Sequence, residues 1–168
     1  MSEQASRTVI DSLEFARSGQ SLRGSVPVAS LERLQDALCD TSGAVDYALH
    51  GGRDARQRPT LTLEVTGVLL LRCQRCLGPF EYPLRLSNTL LLASPAGADS
   101  GEVDVEEDET IEPSAELDVG SLIEDEIILG LPYAPRHADE SCPAGRESSR
   151  RGEASPFAKL AELKRNSN

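Results

Sequence analysis

The chain has no tryptophan, one methionine, and only three phenylalanines and three tyrosines in 168 residues. Stacking on single-stranded nucleic acid depends on exposed aromatic rings, so extensive single-strand binding is disfavoured. Apolar runs are equally scarce: none exceeds the four residues of 68–71, VLLL, and a bilayer span needs ~20. The opening MSEQASRTVIDSLEFARSGQSLRGSVPVAS holds no apolar segment of signal-peptide length, so a cytoplasmic protein is expected, with neither a membrane nor a small-molecule substrate as partner. Positive charge is missing over a long stretch. Between Arg85 and Arg136 there is no Lys or Arg, whereas thirteen Asp and Glu fall there, and the net charge is −11. Phosphate binding rests on Lys and Arg, so extensive direct RNA binding is disfavoured; an acidic body still suits a basic protein, and a local arginine cluster stays available.

Enzyme signatures are also absent. There is no G-x-x-x-x-G-K-S/T, no G-x-G-x-x-G opening a helix, no H-E-x-x-H and no G-x-S-x-G. Adjacent carboxylates Glu124, Asp125 and Glu126 point in different directions around a helix, which is a poor arrangement for paired acid and base work.

What is present reads as one domain with tails, as the length allows. Residues 24–28 form a short strand with Pro27 at an edge or end. Ser30 caps a predicted helix over LERLQDAL, where Leu31, Leu34 and Leu38 fall at helical spacing. A turn at 40–43 leads to a strand in AVDYALH, and GGRDARQRP follows as a loop with three arginines. Strict alternation then sets Leu61, Leu63, Val65, Leu69 and Leu71 on one face, with Gly67 as a bulge or a close contact. Phe80, Tyr82, Leu84, Leu86, Leu90 and Leu92 repeat the pattern. Residues 93–109 are acidic and rich in small residues, the composition of a mobile loop. Asp118 is the N-cap expected for VGSLIEDEIILG, with Ser121 and Glu124 as an alternative capping box; Val119, Leu122, Ile123 and Ile127 share a face before Gly130 and Pro132 stop it. The expected organisation is a domain over 1–142, a polar linker over 143–154, and a short amphipathic helix or tail over 155–168 carrying Phe157, Leu160 and Leu163.

The fold class expected is α+β. An antiparallel sheet carries a long hairpin with the C-x-x-C, one main helix packs on it, and short helices lie toward both termini; a partly closed barrel is a variant.

Four cysteines, Cys39, Cys73, Cys76 and Cys142, sit in a compartment that keeps thiols reduced, which leaves metal binding, catalysis or packing rather than disulfides. Thiol-disulfide exchange prefers a helix after the pair, but Leu77, Gly78 and Pro79 follow Cys76. A metal knuckle fits better, since Gly78 lets backbone amides turn toward the sulfurs. Zinc needs four donors, and PRHADESC adds His137 and Cys142, so the expected ligands are Cys73, Cys76, His137 and Cys142. A closed ligand sphere makes the metal a structural staple, its one net negative charge offset by Arg72, Arg75 or Arg136. Packing alone is the bland alternative for the pair, and Cys39 and His50 read as bystanders.

Three blocks, CQRCLGPF, LIEDEIILGLPYAPRH with Cys142, and PFAKLAELK, are similar in order and separation to the large ribosomal RNA subunit accumulation protein YceD family of bacteria and chloroplasts. The resemblance implies a role in synthesis, processing or stability of 23S ribosomal RNA, hence in large-subunit assembly. With the charge balance, it points to a non-enzymatic factor that reaches 23S RNA indirectly, through ribosomal proteins or processing factors. Glu124, Asp125 and Glu126 would then offer an acidic face, and Phe157, Leu160 and Leu163 a second contact or a self-docking helix. The competing classes are a thiol oxidoreductase and an acidic adaptor with no ribosomal link.

Overall fold

The computed structural model describes residues 8–93, 109–138 and 141–143. The elements run β1 (Val9–Ile10), α1 (Ser12–Arg17), β2 (Ser21–Pro27), two 3-10 segments (Val28–Ser30 and Glu32–Ala37), β3 (Leu38–Asp40), β4 (Ala44–Arg53), β5 (Pro59–Arg72), β6 (Pro79–Leu92), β7 (Thr110–Ile111), β8 (Leu117–Asp118) and α2 (Val119–Gly130). The class is α+β, mostly strand, with the main sheet curled into a half-barrel. Its order is β2-β4-β5-β6-β7, with β3 also on β5, while β1 and β8 pair separately.

Two strands of 14 residues each, β5 and β6, form the spine of the sheet. They pair antiparallel without interruption from Thr60 opposite Leu91 to Arg72 opposite Pro79. Alternation explains the length. Leu61, Leu63, Val65, Leu69 and Leu71 are at most 1% exposed on the inner face, and Leu84, Leu90 and Leu92 meet them from β6. Gly67 is the close contact rather than the bulge: an added Cβ would lie 2.9 Å from Val45 Cγ1, and the register with β6 runs straight through it. At this point β5 changes neighbours. Pairing with β4 stops at Asp46 opposite Thr66, and β3 takes over at Leu70 and Leu71.

Asp118 caps α2 as expected, its carboxylate accepting from the amides of Gly120 and Ser121. Val119, Leu122, Ile123 and Ile127 enter the core inside the curl of the sheet. Leu131 ends the helix, Pro132 follows, and the chain runs to the turn end of the β5–β6 hairpin, where the Pro135 carbonyl accepts from the Gln74 amide. No helix among the described residues is long and apolar enough to cross a membrane.

Several expectations are corrected. LERLQDAL is not an α-helix: Glu32–Ala37 is 3-10, and Leu38 opens a strand. Leu31 and Leu34, three apart and at most 2% exposed, suit three residues per turn as well as 3.6, and the short run from β2 to β3 selects the tighter form. Ser30 donates its hydroxyl to the Pro27 carbonyl instead of capping. The N-terminal helix is α1, capped by Asp11, which rests directly on Gly51 of β4. β4 runs on through Gly51, Gly52 and Arg53, so the loop expected over GGRDARQRP starts only at Asp54. β7 joins β6 in parallel, whereas an antiparallel sheet was expected throughout. The acidic stretch at 94–108, the linker, and the predicted terminal helix with Phe157, Leu160 and Leu163 lie outside the described residues.

Candidate metal centre

The connection between β5 and β6, residues 73–78, carries the C-x-x-C at the far end of the hairpin. A tight turn shapes it. The Leu77 amide donates to the Cys73 carbonyl at 2.8 Å, and the Cys73 amide donates to the Gly78 carbonyl at 2.9 Å. The left-handed residue in this turn is Leu77, at φ 61°, and not Gly78. A non-glycine residue accepts that conformation only where its surroundings enforce it. The consequence is that amides face sulfur: the Arg75 N–H donates to Cys73 Sγ at 3.4 Å.

The downstream segment is fastened to this turn at several points. The Gln74 amide donates to the Pro135 carbonyl at 2.8 Å. The His137 ring lies 5.2 Å from the Phe80 ring, tilted by 43°. Its Nε2 is 3.1 Å from the Pro79 carbonyl, which can only accept, so in the neutral ring Nε2 carries the hydrogen. Nδ1 therefore turns its lone pair toward Cys76 Sγ, 3.5 Å away. A carbonyl that fixes the imidazole tautomer in this way is the usual support for a ligating histidine.

Cys73, Cys76, His137 and Cys142 come together, with their donor atoms all within 4.8 Å of one another. Cys73 and Cys142 are buried, and Cys76 and His137 are half-buried. These four form a group able to bind a metal ion. Burial pushes the Cys73 thiol up, but the amides of Cys76, His137 and Arg75 outweigh it and bring it down to about 5. The Gly78 amide pulls the Cys76 thiol down, yet burial and the neighbouring sulfurs of Cys73 and Cys142 leave it raised. Three sulfurs crowded together resist ionising together, a conflict that a cation relieves. Cys39 is exposed and apart from the group, and His50 bonds Ser21 across β2 and β4 at 2.9 Å.

Of the three acids on α2, Glu124 and Glu126 are turned inward and Asp125 stays exposed. Glu124, 8% exposed, accepts from the Arg33 amide at 2.6 Å and from Arg33 Nε at 2.9 Å. Asp125 pairs with the same guanidinium at 2.5 Å. Glu126, 6% exposed, accepts from Asn88 Nδ2 at 2.8 Å. The carboxylates latch α2 to the second 3-10 segment and to β6. Sequence reasoning missed this because a run of three acids reads as solvated; Arg33 and Asn88, their partners, are distant in the chain.

Residues 61–164 match the model of a family described as Large ribosomal RNA subunit accumulation protein YceD. A relative of that name from Haemophilus influenzae is 28% identical over 166 residues, covering 92% of this chain and 94% of the relative. No solved structure is a match. The family match takes in the whole knuckle, α2 and both downstream donors, and on that span the chain belongs to the family of the large ribosomal RNA subunit accumulation protein YceD.

Proposed function

We propose that this protein is a non-catalytic factor for 23S ribosomal RNA accumulation and large-subunit assembly, held in shape by a structural zinc ion on Cys73, Cys76, His137 and Cys142. The observation that carries the zinc assignment is the donor set. A tetrahedron with Zn–S near 2.3 Å and Zn–N near 2.0 Å has edges of about 3.5–3.8 Å. The Cys76 to His137 separation of 3.5 Å equals such an edge, and the other pairs need only a small contraction from the 4.8 Å limit. Four protein donors close the coordination sphere, so the ion fastens the 135–142 segment to the hairpin and leaves no place for a substrate. The family is named for accumulation of an RNA and not for a reaction. Thiol-disulfide exchange is supported less well, because Cys73 is 0% exposed and a strand, not a helix, follows the pair. The net charge of −11 favours basic ribosomal proteins or RNA-processing factors as the main partners.

Deleting the gene should lower the 23S to 16S ratio, and the tagged protein should cosediment with precursors of the 50S particle. Restoration by the wild-type chain but not by Cys76→Ser is expected. An unchanged ratio in the deletion strain would end the reading.

A further inference from the structure

At its C-terminal end α2 leaves apolar side chains in water. Ile128 is 38% exposed, Leu129 77%, and Tyr133, just past the helix, is fully exposed. The inward side of the helix is already used. Ile123 and Ile127 are 0% exposed in the core, and Gly130 sits so close to β6 that an added Cβ would lie 3.3 Å from Leu86 Cδ2. Among the described residues nothing covers Leu129 or the Tyr133 ring. Single apolar side chains on a surface need no explanation, but three between residues 128 and 133 do. The last turn of α2 also contains no basic residue, so its own sequence supplies no cation to the negative end of the helix dipole.

The segment that fits this surface is the chain's own C-terminus. In SPFAKLAELKR, residues 155–165, Phe157, Leu160 and Leu163 fall three apart along one side of a helix, with Lys159, Lys164 and Arg165 as cations and Glu162 as the one acid. So short a helix is not stable alone, and an apolar seat is what it lacks. Reach decides whether this surface is available to it. The Cys142 sulfur lies within 4.8 Å of the Cys73 sulfur, and Gln74, next along the turn, bonds the Pro135 carbonyl. The chain therefore leaves the knuckle beside the point where residues 129–135 enter it. From Pro135 back to Leu129 is at most ~20 Å of extended chain, whereas residues 143–154 can span up to ~40 Å. The family match over 61–164 takes in both the surface and the segment.

We propose that residues 156–164 dock as a helix on Ile128, Leu129 and Tyr133 of the same chain, with Phe157, Leu160 and Leu163 against that surface and the cations toward the C-terminal carbonyls of α2. A short flexible tether supplies an effective concentration in the millimolar range, so a weak seat is enough. A second copy has no such advantage in dilute solution, and a foreign protein would have to displace the tethered segment. This docking holds with or without the ribosomal reading above, since geometry and sequence alone carry it.

The test is hydrogen exchange of the full-length chain followed by mass spectrometry, read on peptides covering 156–164. Amides there should exchange at least ~10-fold more slowly than in the unfolded chain. Leu129→Ser and Phe157→Ser should each remove most of that protection, since one buried leucine or phenylalanine accounts for a factor of about 10 or more. Val68→Thr, at a 57% exposed apolar position on the opposite face of the sheet, should leave it intact. Leu129 is exposed, so Leu129→Ser keeps the fold, which its zinc content and circular dichroism spectrum check. Absence of protection in the wild-type chain, protection indifferent to Leu129→Ser, or protection that appears only as the protein concentration is raised, the mark of a second copy, would overturn the proposal. So would amides at 156–164 that are free in the purified chain and become protected only with pre-50S particles, which would assign the segment to a partner.

Discussion

Stripping the metal should loosen the protein by an amount that can be worked out beforehand. Apart from the proposed ion, Pro135 and His137 are tied to the hairpin by the Gln74 to Pro135 bond, the His137 to Pro79 bond and the Phe80 ring contact. Binding to the folded state alone stabilises it by RT ln(1 + [Zn]/Kd), about 2.7–4.1 kcal/mol for free zinc at ~100–1,000 times Kd. For a chain of this length each kcal/mol moves the thermal midpoint by ~2–4 °C, so a chelator should lower it by roughly 5–16 °C. Circular dichroism scans before chelation, after it, and with zinc restored give the measurement. Cys76→Ser and His137→Ala should start from the lower midpoint and ignore the chelator. Cys39→Ser, at an exposed position outside the group, should behave as wild type. A midpoint that does not respond to the chelator in the wild-type chain would refute the reasoning.

Gly51→Ala should disrupt the seat of α1, because the new Cβ would lie 2.3 Å from the Phe15 carbonyl oxygen and 2.8 Å from Ala16 Cα, both backbone atoms that cannot swing aside. Urea unfolding should show a loss of about 3 kcal/mol, the upper part of the usual range for overpacking, whereas Gly52→Ala, whose nearest atom is Thr60 Oγ1 at 3.5 Å, should cost far less. In the metal-free chain, ultraviolet thiolate absorbance should rise in a first step at pH about 5 that is missing from Cys73→Ser. That thiol titrates lower folded than its ordinary value of 9.0, so its contribution to stability is complete above the ordinary range and is lost as pH falls through about 5. Equal pH profiles for wild type and Cys73→Ser, both metal-free, would contradict this.

The spine of the fold could be read from residue alternation alone, because a period of two over Leu61 to Leu71 has no other structural meaning. The boundaries of α2 were also legible, since Asp118, Gly130 and Pro132 act locally. The four donors were legible because ligand chemistry restricts the residue types and a hairpin tip restricts the spacing. What escaped depends on contacts distant in sequence. Leu31 and Leu34 fit either kind of helix until the short path between β2 and β3 decides, and the inward turn of Glu124 and Glu126 depends on Arg33 and Asn88. The pairing of β7 with β6 across the acidic stretch leaves no mark in a two-residue strand. The left-handed backbone at Leu77 ran against the expectation placed on its glycine neighbour, which local propensity favours.

The most direct measurement is X-ray absorption at the zinc edge, with metal stoichiometry, on untagged protein. The account predicts one zinc per chain with three sulfurs at about 2.3 Å and one nitrogen at about 2.0 Å, the nitrogen lost in His137→Ala. A chain purified without zinc that also refuses added zinc, or zinc bound by oxygen and nitrogen alone, would contradict it.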